Sequence, residues 1–337
     1  MPVLNEERHL RAAVAAILGQ EYQGPEEIVL ALGPSEDATD AIAEALAAED
    51  PRVHLVHNDQ ANISRGLNLA IAATHHPVIV RVDAHATLSD GYTKAAVSSL
   101  FASGAANVGG IMHARGDGVV QRAIAVGYNS RAGLGGGPYH GHDQAGPAES
   151  AYLGVFRRDP LLATGLFDEG IARGEDWELN LRLREAGHVV WFDPALRVSY
   201  WPRAAWGDLA RQFHATGAWR GELVRRLGAR NSLRYFAPPL LVALLVVALV
   251  VAGLQVFGAL TGPLALVSSV VYLPLVAYLA VLAAAAARAD ERTGWRVRAL
   301  VPAVLATMHV CWGIGFLRGV LSGGEGHVDT SRVSKRG

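Results

Sequence analysis

Pro77-Val78-Ile79-Val80-Arg81-Val82-Asp83-Ala84-His85 places an apolar run directly ahead of a short acidic motif. A short continuous apolar run reads as a strand buried on both faces, as parallel sheets require. The same pattern repeats on its amino side. Ile28 to Leu32 is expected as a strand, Gly33-Pro34-Ser35 as a turn and Asp37 to Ala48 as a helix. Val53 to His57 and Asn62 to Ala73 supply the next strand and helix, and Pro77 to Val82 the strand after that. Strands separated by helices of this length pair in parallel through right-handed crossovers, because parallel neighbours need a long connection. The expected fold class is therefore α/β, a doubly wound sheet flanked by helices. Ligands bind such sheets beyond the carboxyl ends of the strands, where Gly33, Asn58 and Asp83 all fall.

At the start of the chain, Asn5 before Glu6 and Glu7 reads as a helix cap with acids in the first turn, and Leu10, Val14, Ile17 and Leu18 form an apolar stripe. A sheet of this kind calls for an apolar strand feeding Pro2-Val3-Leu4-Asn5, yet only Met1 precedes Pro2. The expectation is a start further upstream, or else a nucleotide pocket with one edge unsupported.

Beyond Asp83 the pattern loosens. A helix is expected over Asp90 to Ala102, a strand over Asn107 to His113, and a mobile loop through the glycine-rich stretch Gly133 to Gly146. Tyr152 to Arg157 reads as a strand, Glu175 to Ala186 as a helix opening on acids, and Val189 to Phe192 with Arg197 to Tyr200 as two short strands. This half is suited to holding an acceptor. His140, His142 and Asp143 carry metal-binding side chains, but glycine-rich surroundings preorganise them poorly, so solvation or acceptor contact is the expectation.

The last third is different in character. Phe236 to Phe257 and Leu264 to Ala287 each run about twenty residues without charge, enough to cross about 30 Å of hydrocarbon. Leu300 to Leu321 holds His309, Cys311 and Arg318, and is read as a third span or an interfacial helix. Arg288, Arg292, Arg296 and Arg298 suit an inside loop after a second span, whereas Arg332, Lys335 and Arg336 lie outside if the third segment crosses. Trp206, Leu209, Phe213, Leu223 and Leu227 recur at helical spacing ahead of the spans, the face of an interfacial helix or of one packed on the soluble domain. Arg211, Arg220, Arg225, Arg226, Arg230 and Arg234 crowd the same segment, which by the positive-inside bias makes the amino-terminal part cytosolic.

Lysine and arginine total 30 against 31 acids, so the overall charge speaks for neither nucleic acid nor an acidic partner. The single cysteine, Cys311, forms no intrachain disulfide, in keeping with a reducing compartment, and no Cys/His cluster resembles a zinc site. The opening Met1-Pro2-Val3-Leu4-Asn5-Glu6 has no basic segment followed by an apolar core, so membrane insertion is expected to use the carboxyl-terminal segments.

Three motifs carry a resemblance: Pro2-Val3-Leu4-Asn5-Glu6, Arg81-Val82-Asp83-Ala84-His85 and Gly174-Glu175-Asp176. In this order and spacing they resemble the family 2 glycosyltransferases, which have a GT-A fold, a doubly wound mixed sheet. With Gly135-Gly136-Gly137 and the apolar tail, the chain is most similar to the succinoglycan-type bacterial membrane glucosyltransferases. The resemblance implies that Pro2, Asn5 and Glu6 lie near the base and ribose of a nucleotide-sugar donor. It also makes the turn from Gly33 through Ser35 to Thr39 part of that pocket, with Leu32 where an aspartate often touches the base. Uridine is the expected base. Arg65 and Asn68 match a position near the donor, although an ordinary polar helix face explains them almost as well.

In the same way, Asp83-Ala84-His85 stands for the family's Asp-x-Asp motif, with histidine at the metal-facing second acid. A divalent cation there, Mn²⁺ or Mg²⁺, would be held by Asp83 and His85; imidazole favours manganese. Asp176 takes the place of the family's catalytic base and Glu175 orients it, in a single displacement that inverts the anomeric centre. Acids at a helix start are also ordinary dipole partners. Gln212 with Trp219-Arg220 is faintly similar to a motif of processive relatives, but its spacing differs and polymer synthesis is not expected; Trp219 and Arg220 would line the acceptor cleft or anchor the interface.

The expected organisation is a cytosolic catalytic domain over 1–204, an amphipathic interface helix and basic linker over 205–234, a membrane region of two or three helices over 235–321, and a polar tail over 322–337. The expected activity is metal-dependent transfer of a hexose from a nucleotide-diphosphate sugar to a lipid-linked saccharide. The expected place is the cytosolic face of the inner membrane, in exopolysaccharide or cell-envelope glycan synthesis. A polyprenyl-phosphate sugar synthase, or a non-catalytic nucleotide-sugar-binding membrane subunit, are the alternatives.

Overall fold

The computed structural model describes residues 1–134, 144–171, 174–228, 233–290 and 293–323. Gly135-Gly136-Gly137, His140, His142, Asp143, Arg230, Arg292, Arg332, Lys335 and Arg336 lie outside the described residues. The chain divides into two compact units.

The first unit, built from 1–115 and 144–201, is an α/β body. In chain order it holds β1 (Pro2–Val3), α1 (Leu10–Leu18), β2 (Ile28–Leu32), α2 (Thr39–Glu49), β3 (Val53–His57) and α3 (Ile63–Ala73). Then follow β4 (Val78–Val80), β5 (Ala86–Leu88), α4 (Tyr92–Ser103) and β6 (Asn107–Ala114). After α5 (Val119–Asn129), which belongs to the second unit, come β7 (Gly146–Pro147), β8 (Val155–Arg157), α6 (Arg158–Ala163), α7 (Glu175–Glu185) and β9 (Val190–Tyr200).

Pairing is mixed, as expected for the fold class. β1, β2 and β3 form a parallel sheet. A second sheet runs in the order β4-β8-β6-β9-β5, with β7 on β9. In it β6 and β9 are parallel and the other pairs antiparallel. All five residues of β2 are buried, which is why that strand shows no polar alternation. Leu10, Val14, Leu30, Leu100 and Val108 meet in the core, so α1 and α4 cover the sheets with their apolar faces.

Several local expectations are corrected. A short strand does precede the first helix, but α1 begins only at Leu10, because Asn5 adopts a left-handed backbone (φ 54°) and ties back to the turn after β2 instead of capping a helix. The two short strands expected near 189–200 are one eleven-residue strand, β9, whose pairing with β6 shifts register between Gly109 and Ile111. A bulge leaves an apparent interruption in the apolar alternation without ending the strand.

The second unit, from 116–134 and 202–323, is helical. It contains α5, α8 (Trp206–Leu227), α9 (Ala237–Val256), α10 (Gly262–Ser268), α11 (Leu273–Ala287) and α12 (Trp295–Ser322). Leu209, Phe213 and Leu223 of α8 are buried in this unit, and α8 packs along α12. Gly217, Gly221, Gly315 and Gly319 allow that contact: a Cβ on any of them would lie about 2 Å from a carbonyl oxygen of the facing helix. Three helical stretches, Leu233–Val256, Gly262–Ala287 and Trp295–Ser322, are long and apolar enough to cross a membrane. The third is the most buried of the three.

Candidate active site

The first unit gathers the motif residues around one buried guanidinium. Arg81 follows β4, is 5% exposed, and sits two residues before Asp83. Its Nε and Nη2 donate to Asp83 Oδ1 at 3.3 and 3.2 Å, and Nη2 also meets Glu175 Oε1 at 3.1 Å. Its Nη1 donates to Asp176 Oδ1. Two motifs that lie far apart in sequence thus share one cation.

Glu175 and Asp176 are carried there by the start of α7. Gly174 caps that helix with a left-handed backbone (φ 85°), a conformation glycine adopts without steric cost. The first turn of α7 then holds Glu175, Asp176 and Glu178, acids that the positive end of the helix dipole favours. Glu178 does not face the cluster but pairs with Arg182 at 2.5 Å. Asp176 keeps 24% of its side chain exposed while Glu175 keeps 11%, so the second carboxylate is the more open to a ligand. Burial raises the Asp176 carboxyl to about 7; Arg81 opposes the shift, and Glu175 and Asp83 add to it.

His85 stands beyond Asp83, and its Nδ1 lies 2.9 Å from Glu6 Oε1. The Tyr200 ring meets the imidazole edge-on at 5.8 Å. Glu6, expected at the donor, is 7% exposed and holds this histidine. Among the described residues no group of three or more His, Cys, Asp and Glu is gathered as a metal site would gather them. Asp83 and His85, two positions apart in the chain, are the carboxylate and the imidazole that could contribute to holding a cation here. Such a set suits an ion that keeps waters and phosphate oxygens in its shell. A carboxylate on the far ring nitrogen also fixes the imidazole and makes it more basic toward a metal.

The two segments expected to cradle a nucleotide are stitched together. Asn5 N–H donates to Ser35 Oγ at 3.1 Å, Glu36 N–H to Asn5 Oδ1 at 2.8 Å, and Glu6 N–H to Thr39 Oγ1 at 2.7 Å. Pro2 belongs to β1, and Gly33 leaves β2 beside it, where a Cβ would crowd Leu4 at 3.2 Å. Arg65 and Asn68 lie on α3 and face the segment before α7. Arg65 pairs with Asp59 at 3.0 Å and approaches Glu169 at 3.8 Å, while Asn68 donates to Phe167 O at 2.9 Å and to Glu169 Oε1 at 3.0 Å.

Two features carried no sequence expectation. Arg81 was legible only as a charge following an apolar run, and its partners lie on another element. A buried polar chain runs from Asn107 through Asn180 to Ser150, at 2.7 and 3.1 Å, and fixes α7 to β6. In the helical unit, Trp219 is 4% exposed and the Arg220 guanidinium stacks over the Tyr235 ring at 4.0 Å.

Residues 1–159 match the family model described as glycosyl transferase family 2. The chain is 31% identical over 325 residues to a succinoglycan biosynthesis protein, ExoA, of Rhizobium meliloti (strain 1021), covering 95% of this chain and 94% of that protein. Among solved structures it resembles a mannosyltransferase from Pyrobaculum calidifontis in complex with GDP-Man and Mn²⁺, at 19% identity and a TM-score of 0.56. That match covers 91% of this chain and 84% of the other, and speaks for the fold. The chain is a member of glycosyl transferase family 2.

Proposed function

We propose that this protein is an inverting, metal-dependent hexosyltransferase. It moves a sugar from a nucleotide-diphosphate donor, with uridine as the base, to a lipid-linked saccharide. One observation carries the reading: a single buried arginine joins Asp83 to Glu175 and Asp176, so an acid suited to a cation and an acid suited to a base border one site.

Asp176 accepts the proton of the acceptor hydroxyl as that oxygen attacks the anomeric carbon, and the nucleoside diphosphate departs from the opposite face. A carboxyl poised near neutral pH matches that task. Glu175 and Arg81 hold Asp176 in place. Asn5, Ser35 and Glu6 shape the donor side, with Pro2, Gly33, Arg65 and Asn68 around them. Asp83 and His85 would hold a divalent cation, whose positive charge offsets the negative charge of the departing diphosphate.

The setting is exopolysaccharide or cell-envelope glycan assembly at the inner membrane. The relative's name supports that setting, and the long apolar helices support the membrane. The arginines of α8 and those before the first long apolar stretch support a cytosolic catalytic unit. A membrane-fraction assay across nucleotide sugars tests the proposal. Transfer to a polyprenyl-diphosphate sugar with inverted configuration is expected. Transfer to a bare polyprenyl phosphate alone would instead make the protein a polyprenyl-phosphate sugar synthase.

A further inference from the structure

A second set of polar groups holds α7, and it carries no charge. Asn180 lies four residues after Asp176, one turn further along α7 and on the same face. Its Oδ1 accepts from Asn107 Nδ2 at 2.7 Å, and its Nδ2 donates to Ser150 Oγ at 3.1 Å. Both asparagines are fully buried, and Ser150 is buried as well. Asn107 opens β6, the central strand of the second sheet, between Phe156 of β8 and Val190 of β9. Gly154 leaves room for it, since a Cβ there would lie 2.4 Å from Asn107 Oδ1; Gly154 O in turn accepts from Arg81 N–H at 3.1 Å. The amides therefore sit between the two elements that bear the charge cluster, α7 on one side and the backbone of Arg81 on the other.

Stability alone does not ask for these groups. They interrupt an apolar core that includes Ala106, Ala151, Phe156, Leu179 and Leu183. Asn107 Oδ1 is buried with no hydrogen-bond partner among the described residues, a cost that an apolar side chain would avoid. What apolar packing lacks is direction. Buried amide hydrogen bonds fix the rotation and height of a helix on its sheet, whereas hydrophobic contact alone specifies neither so narrowly. The ion pairs of Arg81 do not replace this restraint. When Asp176 takes up a proton, its attraction to Arg81 falls. The bonds of Asn180 keep their strength in both states, because neither an amide nor a serine hydroxyl titrates in this range.

We propose that Asn107, Asn180 and Ser150 are positioning residues, which keep the Asp176 carboxylate aimed at the acceptor hydroxyl while its charge comes and goes. The inference rests on the reading of Asp176 as the proton acceptor. Buried as they are, the three side chains do not reach the reacting atoms; they act through α7, whose first turn carries Glu175 and Asp176. A displacement of about 1 Å at that turn is enough to lower the rate about 10²-fold.

A cycle of variants of the full chain tests this, with kcat and KM measured on UDP-hexose donors and a polyprenyl-diphosphate sugar as acceptor. Asn180→Ala should lower kcat about 10²-fold and leave the donor KM within about twofold. Ser150→Ala removes one hydrogen bond and almost no volume, so the fold is kept, and kcat should fall about tenfold with the same unchanged KM. In an Asp176→Asn background either change should cost no more than about a further twofold, because the group being positioned is already gone. Equal losses in the two backgrounds would show that the residues only support the fold, and would overturn the inference. A parental kcat in Ser150→Ala, or a fall in kcat matched by a rise in donor KM, would overturn it too. A parental rate in Asp176→Asn by itself would strike the proposed base, and the inference with it.

Discussion

Arg81 Nη1 donates to Asp176 Oδ1 across ninety-five residues of sequence, while the same side chain holds Asp83 two residues away. The guanidinium is the hinge on which both halves of the site depend, because three carboxylates brought this close repel one another without a cation between them.

Replacing Arg81 by Met should destabilise the protein by about 3–5 kcal/mol, the usual cost of removing one partner from a buried charge cluster. Arg81→Lys should recover part of the loss, since an ammonium supplies charge without the planar fork. Thermal unfolding of the three proteins in matched detergent checks this, and equal melting temperatures would show that the cluster contributes nothing.

Asp176→Asn removes the proposed proton acceptor and leaves the shape in place. Transfer should fall by about 10²–10⁴-fold while donor affinity stays within a few-fold of the parent protein. Equilibrium binding and initial-rate measurements separate the two quantities. An Asn variant that transfers at the parental rate would remove Asp176 from the chemistry.

The pH dependence carries a definite sign. A base must be unprotonated to act, and burial lifts the Asp176 carboxyl to about 7. Transfer should therefore drop as pH falls below about 7, roughly tenfold per unit, rather than holding steady down to pH 5 as an ordinary carboxylate would allow. Rate profiles from pH 5 to 9 read this directly.

Glu6→Gln loosens the grip on His85 without touching the proposed metal ligands. The manganese concentration that gives half-maximal transfer should rise about 10–100-fold, the common effect of losing a carboxylate behind a ligating histidine. His85→Ala should raise it at least as far. Unchanged metal dependence in both variants would take His85 out of the cation's shell.

Much of this protein is legible in its sequence. Unbroken apolar runs such as Ile28–Leu32 announce strands covered on both faces, and the helix-length spacers between them impose crossovers, so the α/β class follows from local pattern alone. The long uncharged segments near the end are equally plain, because crossing hydrocarbon constrains composition residue by residue. What stayed hidden depends on partners. Asn5 offers the residue types of a helix cap, yet its backbone turns left-handed because Ser35 and Glu36 bind it from another element. Strand β9 looked like two pieces because its bulge is a property of the pairing with β6.

The order of residues by itself determined which segments become strands, helices and long apolar helices, since backbone sterics and hydrophobic period act over a few neighbours. Only the tertiary structure decided that Arg81 links Asp83 to Glu175 and Asp176, and that Glu6 holds His85. Those facts arise from the meeting of elements distant along the chain, where burial and charge act through space.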